Sequence, residues 1–159
     1  MPGVIIVLGS GSDIEYAAGI EKVLDKLGVA NRTRVASAHK TPEKALEIIK
    51  EGSEEGVVFI TVAGRSNALS GFTASNTLCP VIASPPVSSK FAGMDIFSSL
   101  SMPGGVCPMT VVGAEQSALA AAKILGLKDE AVSERIAEYM EANRQEVEKA
   151  DREVRDGKR

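Results

Sequence analysis

Val4-Ile5-Ile6-Val7-Leu8-Gly9-Ser10-Gly11-Ser12-Asp13 decides how the chain is read. Five apolar residues in a row, without polar alternation, mark a strand buried on both faces. Such a strand belongs to a parallel sheet with helices on either side. The Gly-Ser run breaks it. From Asp13 onward, Ile14, Ala17, Ala18, Val23, Leu24 and Leu27 recur at helical spacing, and Gly28 supplies the stop.

The pattern repeats outward from there. Residues 32–36 make a weaker strand. Thr41 then stands as an N-cap before Pro42 at the first helical position, with Ala45, Leu46, Ile48 and Ile49 as the buried stripe. Residues 57–62 form a second all-apolar strand, and a helix of small residues follows to about residue 77. Residues 80–83 are a short strand closed by Ser84-Pro85-Pro86, and residues 94–100 are helical or turn-rich. Residues 109–112 make a fifth strand, followed by an Ala-rich helix over 115–125. A tail helix runs from about 129 to 151, with Val132, Ile136, Met140 and Val147 on the face that docks. With neither repeat nor linker, residues 1–159 read as one domain, a core of about 4–127 and a helical tail of about 128–155. Strand–helix alternation of this kind is the doubly wound α/β class with a central parallel sheet.

Composition excludes much. The 159 residues contain one histidine, His39, and no Trp. One chain therefore cannot supply a multi-histidine zinc site or an HExxH helix, and no metal site is expected. Cys79 and Cys107 match no CxxC spacing, and no signal-peptide pattern opens the chain. Both thiols read as reduced, in a cytoplasmic protein. The presence of a histidine in the chain invites a nucleophile assignment for Cys107, but no pairing can be read from the spacing and a buried structural thiol is the expectation. Met94 and Met102 read as core or interface filler. No apolar run reaches the roughly 20 residues of a membrane span, and a net charge of −3 argues against a nucleic-acid surface. Charge is also uneven. Residues 66–122 carry only Lys90, Asp95 and Glu115, whereas residues 128–159 carry 18 charges. An uncharged stretch that long points to subunit interfaces and a ligand site.

Three polar loops fall at strand exits, where doubly wound sheets bind ligands. In the first, Ser10, Ser12 and Asp13 precede a helix whose free N–H groups suit an anion, although Ser12 or Asp13 could equally be an ordinary cap. The second, Ser37-Ala38-His39-Lys40, sets a hydroxyl, an imidazole and an ammonium within four residues, a set able to bind an anion and move a proton. The third, Ala63-Gly64-Arg65-Ser66-Asn67, offers an Arg fork whose partner is a ligand phosphate or a carboxylate across a subunit interface. If their strands are neighbours, the loops share one pocket.

Together with Ala68-Leu69-Ser70-Gly71 and Phe91-Ala92-Gly93-Met94-Asp95-Ile96-Phe97-Ser98-Ser99-Leu100-Ser101-Met102-Pro103-Gly104-Gly105, these loops resemble the phosphoribosylaminoimidazole carboxylase family of purine biosynthesis, over about residues 4–127. The resemblance implies a flavodoxin- or Rossmann-like three-layer α/β/α sandwich with a long C-terminal helix, assembled as a homo-tetramer or homo-octamer. It implies a ribonucleotide substrate held by Ser10 and Asp13, the latter on the ribose hydroxyls, with help from Ser37 and Lys40. Ser66, Asn67 and Leu69 would line the aminoimidazole and carboxylate end, His39 would transfer the proton, and Ser12, Gly64, Arg65 and Gly71 are further candidates. Class I members of this family, which are mutases, carry Arg after the histidine of the second motif and a histidine in the third loop. Here those positions are Lys40 and Ala68, which resemble class II, the carbon dioxide-using carboxylases that need no cofactor. The competing expectations are the class I mutase, a flavodoxin-like flavin or phosphate module, and a catalytically silent oligomeric scaffold. The lack of aromatic residues near the loops disfavours a flavin.

Overall fold

A computed structural model describes residues 3–157 of the chain. Its centre is a five-stranded parallel sheet in the order β2-β1-β3-β4-β5, made by β1 (Val4–Leu8), β2 (Asn31–Val35), β3 (Val58–Val62), β4 (Val81–Ala83) and β5 (Met109–Thr110). The expected strands are all present, although β5 is reduced to two residues. Helices α1 (Ile14–Lys26), α2 (Pro42–Glu55), α3 (Ala68–Ala74), α4 (Phe97–Leu100), α5 (Ala114–Gly126) and α6 (Glu130–Arg155) complete the chain.

Alternation along the buried strands divides the core. Val4, Ile6 and Leu8 of β1, with Val58, Ile60 and Val62 of β3, pack against Ile20 and Leu24 of α1, Ala118 and Ala121 of α5, and Val132 and Ile136 of α6. Ile5, Val7, Phe59 and Val81 face the other way, onto Ala45 and Ile48 of α2 and Leu69 of α3. This is the three-layer sandwich, and both sheet faces are covered as the unbroken apolar strands require.

β2 is the polar edge of the sheet. Arg32 makes a two-pronged ion pair with Glu55 of α2 at 2.8 and 2.6 Å, and Arg34 meets Glu51 at 2.8 Å. The bond from Arg32 holds the Glu55 carboxyl below the usual carboxylate range. Charged side chains also blunt an edge that would otherwise recruit another strand.

Several expected contacts differ. Ile14 and Leu46 are exposed rather than buried, because each lies just outside the arc its helix turns toward the sheet. Thr41 occupies the N-cap position of α2, but its hydroxyl accepts the Ser37 N–H at 2.9 Å instead of capping the helix. The docked face of α6 is shorter than its apolar spacing suggests. Arg135 Nε donates to the Leu27 carbonyl at 2.6 Å and the Tyr139 hydroxyl donates to Glu115 at 2.8 Å, whereas Met140 and Val147 are exposed. Cys107 is exposed rather than buried, in the loop ahead of β5. No helix is long and apolar enough to cross a membrane among the described residues.

Candidate active site

Register brings the three loops together. Leu8 pairs with Val35 on one side and with Val62 on the other, so the three strands end side by side at the carboxyl edge. β1 is where the chain reverses its direction of sheet growth, the place where such sheets open a crevice. Close approach there depends on Gly9. A Cβ at that position would lie 3.2 Å from the Ala63 Cβ.

Each loop holds itself in shape. In the first, the Ser10 hydroxyl accepts the Ser12 N–H at 3.3 Å and the Ser12 hydroxyl at 3.0 Å, capping a 3₁₀ turn over Gly11–Asp13 that runs into α1. Capping thus falls to Ser10, while Asp13 makes no cap bond. The second loop is closed by Ser37, whose hydroxyl accepts the Lys40 N–H at 3.2 Å and whose carbonyl accepts the Thr41 N–H at 2.9 Å. The turn leaves His39 and Lys40 exposed. In the third loop, Arg65 adopts φ 59°, unusual for a residue with a Cβ.

Between the loops lies a cleft of about 580 Å³, within the usual size for a small-molecule site. Ser10, Ser12, Asp13, Ser37, His39 and Lys40 line it from two loops, and Gly64, Arg65, Ser66 and Leu69 from the third. Two expected residues lie elsewhere. Asn67 is buried with its amide occupied, donating from Nδ2 to Ser99 Oγ at 2.9 Å and accepting the Ser70 N–H at 3.2 Å as the N-cap of α3. Gly71 lies beneath Met102, with the sulfur 3.0 Å from where its Cβ would be. An Asn immediately before a helix is a capping signal, and that signal was available in the sequence.

The cleft also has a wall outside the three loops: Pro86, Val87, Ser88, Ser89 and Asp95. The first four follow β4, so the strand-exit rule covers them too, with Ser84-Pro85-Pro86 as the visible sign. A smaller apolar recess of about 90 Å³, bounded by Pro85, Val87, Ile96 and Val112, adjoins this wall. The cleft therefore combines six serine hydroxyls, an imidazole, the cationic Lys40 and Arg65, and the carboxylates Asp13 and Asp95. Such a lining suits a polar anionic ligand, with a titratable group exposed to it.

A family model described as AIR carboxylase matches residues 3–146. The chain belongs to the AIR carboxylase family. It is 58% identical over 151 residues to a phosphoribosylaminoimidazole carboxylase of Archaeoglobus fulgidus, covering 95% of this chain and 84% of that protein. It is also 40% identical over 157 residues to an N5-carboxyaminoimidazole ribonucleotide mutase of Methanocaldococcus jannaschii, covering 96% and 98%. The crystal structure of Treponema denticola PurE superposes with a TM-score of 0.93 at 41% identity, over 97% of this chain and 99% of that one. The AIR carboxylase family thus includes relatives named for either of two activities, here at 58% and 40% identity, and a family match does not by itself choose between them.

Proposed function

We propose that the chain is an enzyme of purine biosynthesis that carboxylates aminoimidazole ribonucleotide at ring C4 with carbon dioxide. One observation carries the assignment: the chain's single histidine, His39, stands on the wall of the cleft where the three loops meet. The family match supplies the substrate class. In this reading Ser10, Ser12 and Asp13 hold the ribonucleotide with Ser37 and Lys40, Asp13 taking the ribose hydroxyls. Gly64, Arg65, Ser66 and Leu69 receive the ring and the carboxyl group. A single catalytic domain does this, as a cytoplasmic homo-oligomer of four or eight copies. Leu78, Phe91, Met94, Phe97 and Leu100, all exposed apolar residues of the charge-poor segment, supply apolar surface for assembly.

The chemistry asks little beyond placement. The aminoimidazole is enamine-like, so C4 attacks the carbon of carbon dioxide with electrons drawn from the exocyclic amine. C4 then carries both a proton and the new carboxylate. His39 takes that proton, the C–H electrons restore the ring, and the imidazolium later releases the proton to water. An imidazole, which can both accept and return a proton, suits both directions of this step. Lys40 and Arg65 provide positive charge for the developing carboxylate.

Lys40 and Ala68 favour the carboxylase over the mutase, because the mutase pattern has Arg and His at those positions. The 40% identity to a named mutase keeps that activity as the second reading. His39→Asn preserves shape and removes the proton acceptor. It is expected to lower kcat by at least about a hundredfold, the scale of general-base catalysis, with assembly and ribonucleotide binding retained. Turnover unchanged in His39→Asn would remove His39 from the chemistry, and a wild-type protein that turns over neither substrate would leave a silent scaffold as the better account.

A further inference from the structure

The cleft wall contains a clasp that the carboxylation chemistry does not by itself require. Asp95 Oδ2 accepts the backbone N–H of Arg65 at 3.0 Å. The Ser98 hydroxyl reaches the Arg65 carbonyl at 2.7 Å and the Asp95 carbonyl at 2.8 Å, and it accepts the Asn67 N–H at 3.0 Å. Residues 95–98 thus bind both polar backbone groups of Arg65 and one of Asn67. Asp95 arrives there through a bend in which Phe91, Ala92 and Gly93 all have left-handed φ values of 48°, 54° and 82°.

What the clasp leaves unbound is as informative. Arg65 and Ser66 are exposed and line the cleft, and neither the guanidinium nor the Ser66 hydroxyl has a partner among the described residues. The bonds are spent on the backbone, in a conformation that a residue with a Cβ disfavours and that persists only where neighbours hold it. Gly64 completes the arrangement. Its Cβ position would lie 3.9 Å from Asp95 Oδ2, so the carboxylate sits against the Gly64–Arg65 peptide.

We propose that Asp95 is a positioning residue, holding the Arg65 peptide in its left-handed conformation so that the Arg65 guanidinium and Ser66 hydroxyl face the carboxyl group being transferred. The identity of that group rests on the function proposed above; the clasp does not. Asp95→Asn keeps an oxygen acceptor without the charge, whereas Asp95→Ala removes both. Arg65→Gly removes the guanidinium together with the conformational penalty.

With carbon dioxide varied at saturating ribonucleotide, Asp95→Ala is expected to raise KM for carbon dioxide about tenfold, the scale of one lost hydrogen bond. The KM for ribonucleotide and the activity of Asp95→Asn stay within about threefold of wild type. In an Arg65→Gly background, Asp95→Ala costs less than about threefold more, since glycine needs no holding. Amide hydrogen exchange at Arg65 accelerates in Asp95→Ala but not in Asp95→Asn, a readout that requires no turnover. Equal damage from Asn and Ala, an equal rise in both KM values, undiminished loss in the glycine background, or unchanged amide exchange would each overturn the proposal. A wild-type enzyme that consumes only the N5-carboxylated compound would overturn the carbon dioxide assignment instead, while amide exchange still decides the clasp.

Discussion

Replacing Gly52 by alanine tests how tightly α2, the helix that follows the His39 loop, is seated on the sheet. A Cβ at Gly52 would lie 2.5 Å from Phe59 Cζ, 2.7 Å from Ile5 Cδ1 and 2.9 Å from Phe59 Cε1. Both neighbours are fully buried strand residues, with no open space into which to retreat. In an exposed helix the same replacement would stabilise by about 0.8–1 kcal/mol. Overpacking a well-filled core costs about 1–3 kcal/mol, and three contacts below 3 Å place this one near the upper end. The net expectation is a loss of about 2 kcal/mol, or about 4–8 °C in Tm for a chain of this length. Urea unfolding followed by far-UV circular dichroism, at one fixed protein concentration, measures it. Phe59→Leu removes the atom that clashes most, so Gly52→Ala with Phe59→Leu should fall short of the additive loss by about 1 kcal/mol. A Gly52→Ala protein as stable as wild type, or two strictly additive losses, would refute the close seating of α2.

At high pH the join between α5 and α6 should weaken. The hydrogen bond from Tyr139 to Glu115, with burial and the nearby negative charge, raises the phenol above its ordinary value of 10.0. The bond needs the neutral phenol. Its contribution is therefore complete below pH 10.0 and is lost as pH rises through the raised value. Unfolding titrations should show wild type losing stability relative to Tyr139→Phe only as pH rises above 10.0; a difference independent of pH would contradict it. Phe97→Glu or Leu100→Glu on the exposed apolar face should shift sedimentation velocity toward smaller species by weakening assembly at least about tenfold, with circular dichroism unchanged. Unaltered sedimentation would show that this face is not an interface.

The fold was legible where residues carried one signal. Val4–Leu8 and Val58–Val62 read as doubly buried strands from their unbroken apolar runs, but that they are neighbours is settled by the observed pairing and not by the sequence. Helix faces were less legible. Periodicity places Ile14 and Leu46 near the apolar arc, but whether a residue at the margin touches the sheet depends on how the helix is rotated against it. In the site, the first two loops showed their residue types in the sequence, and each holds its own shape through short-range bonds. Which side chain makes the cap did not show: it falls to Ser10, and neither Asp13 nor Thr41 caps its helix. The third loop was less legible still. Asn67 offers an amide suited to a ligand and to a cap, and the choice was made by Ser99, 32 positions away. Asp95 entered the site by the same long-range route, through its bond to Arg65. Cys107 went unrecognised as exposed because an apolar, charge-poor segment resembles core whether it lies in the protomer or on a face that remains open.

Supplying purified enzyme with aminoimidazole ribonucleotide and carbon dioxide, and separately with N5-carboxyaminoimidazole ribonucleotide, tests the proposed reaction most directly. Lys40 and Ala68 predict that the first mixture is converted to the C4-carboxylated product and that conversion disappears in His39→Asn. Turnover of the N5-carboxylated compound alone would contradict the account and make the enzyme a mutase.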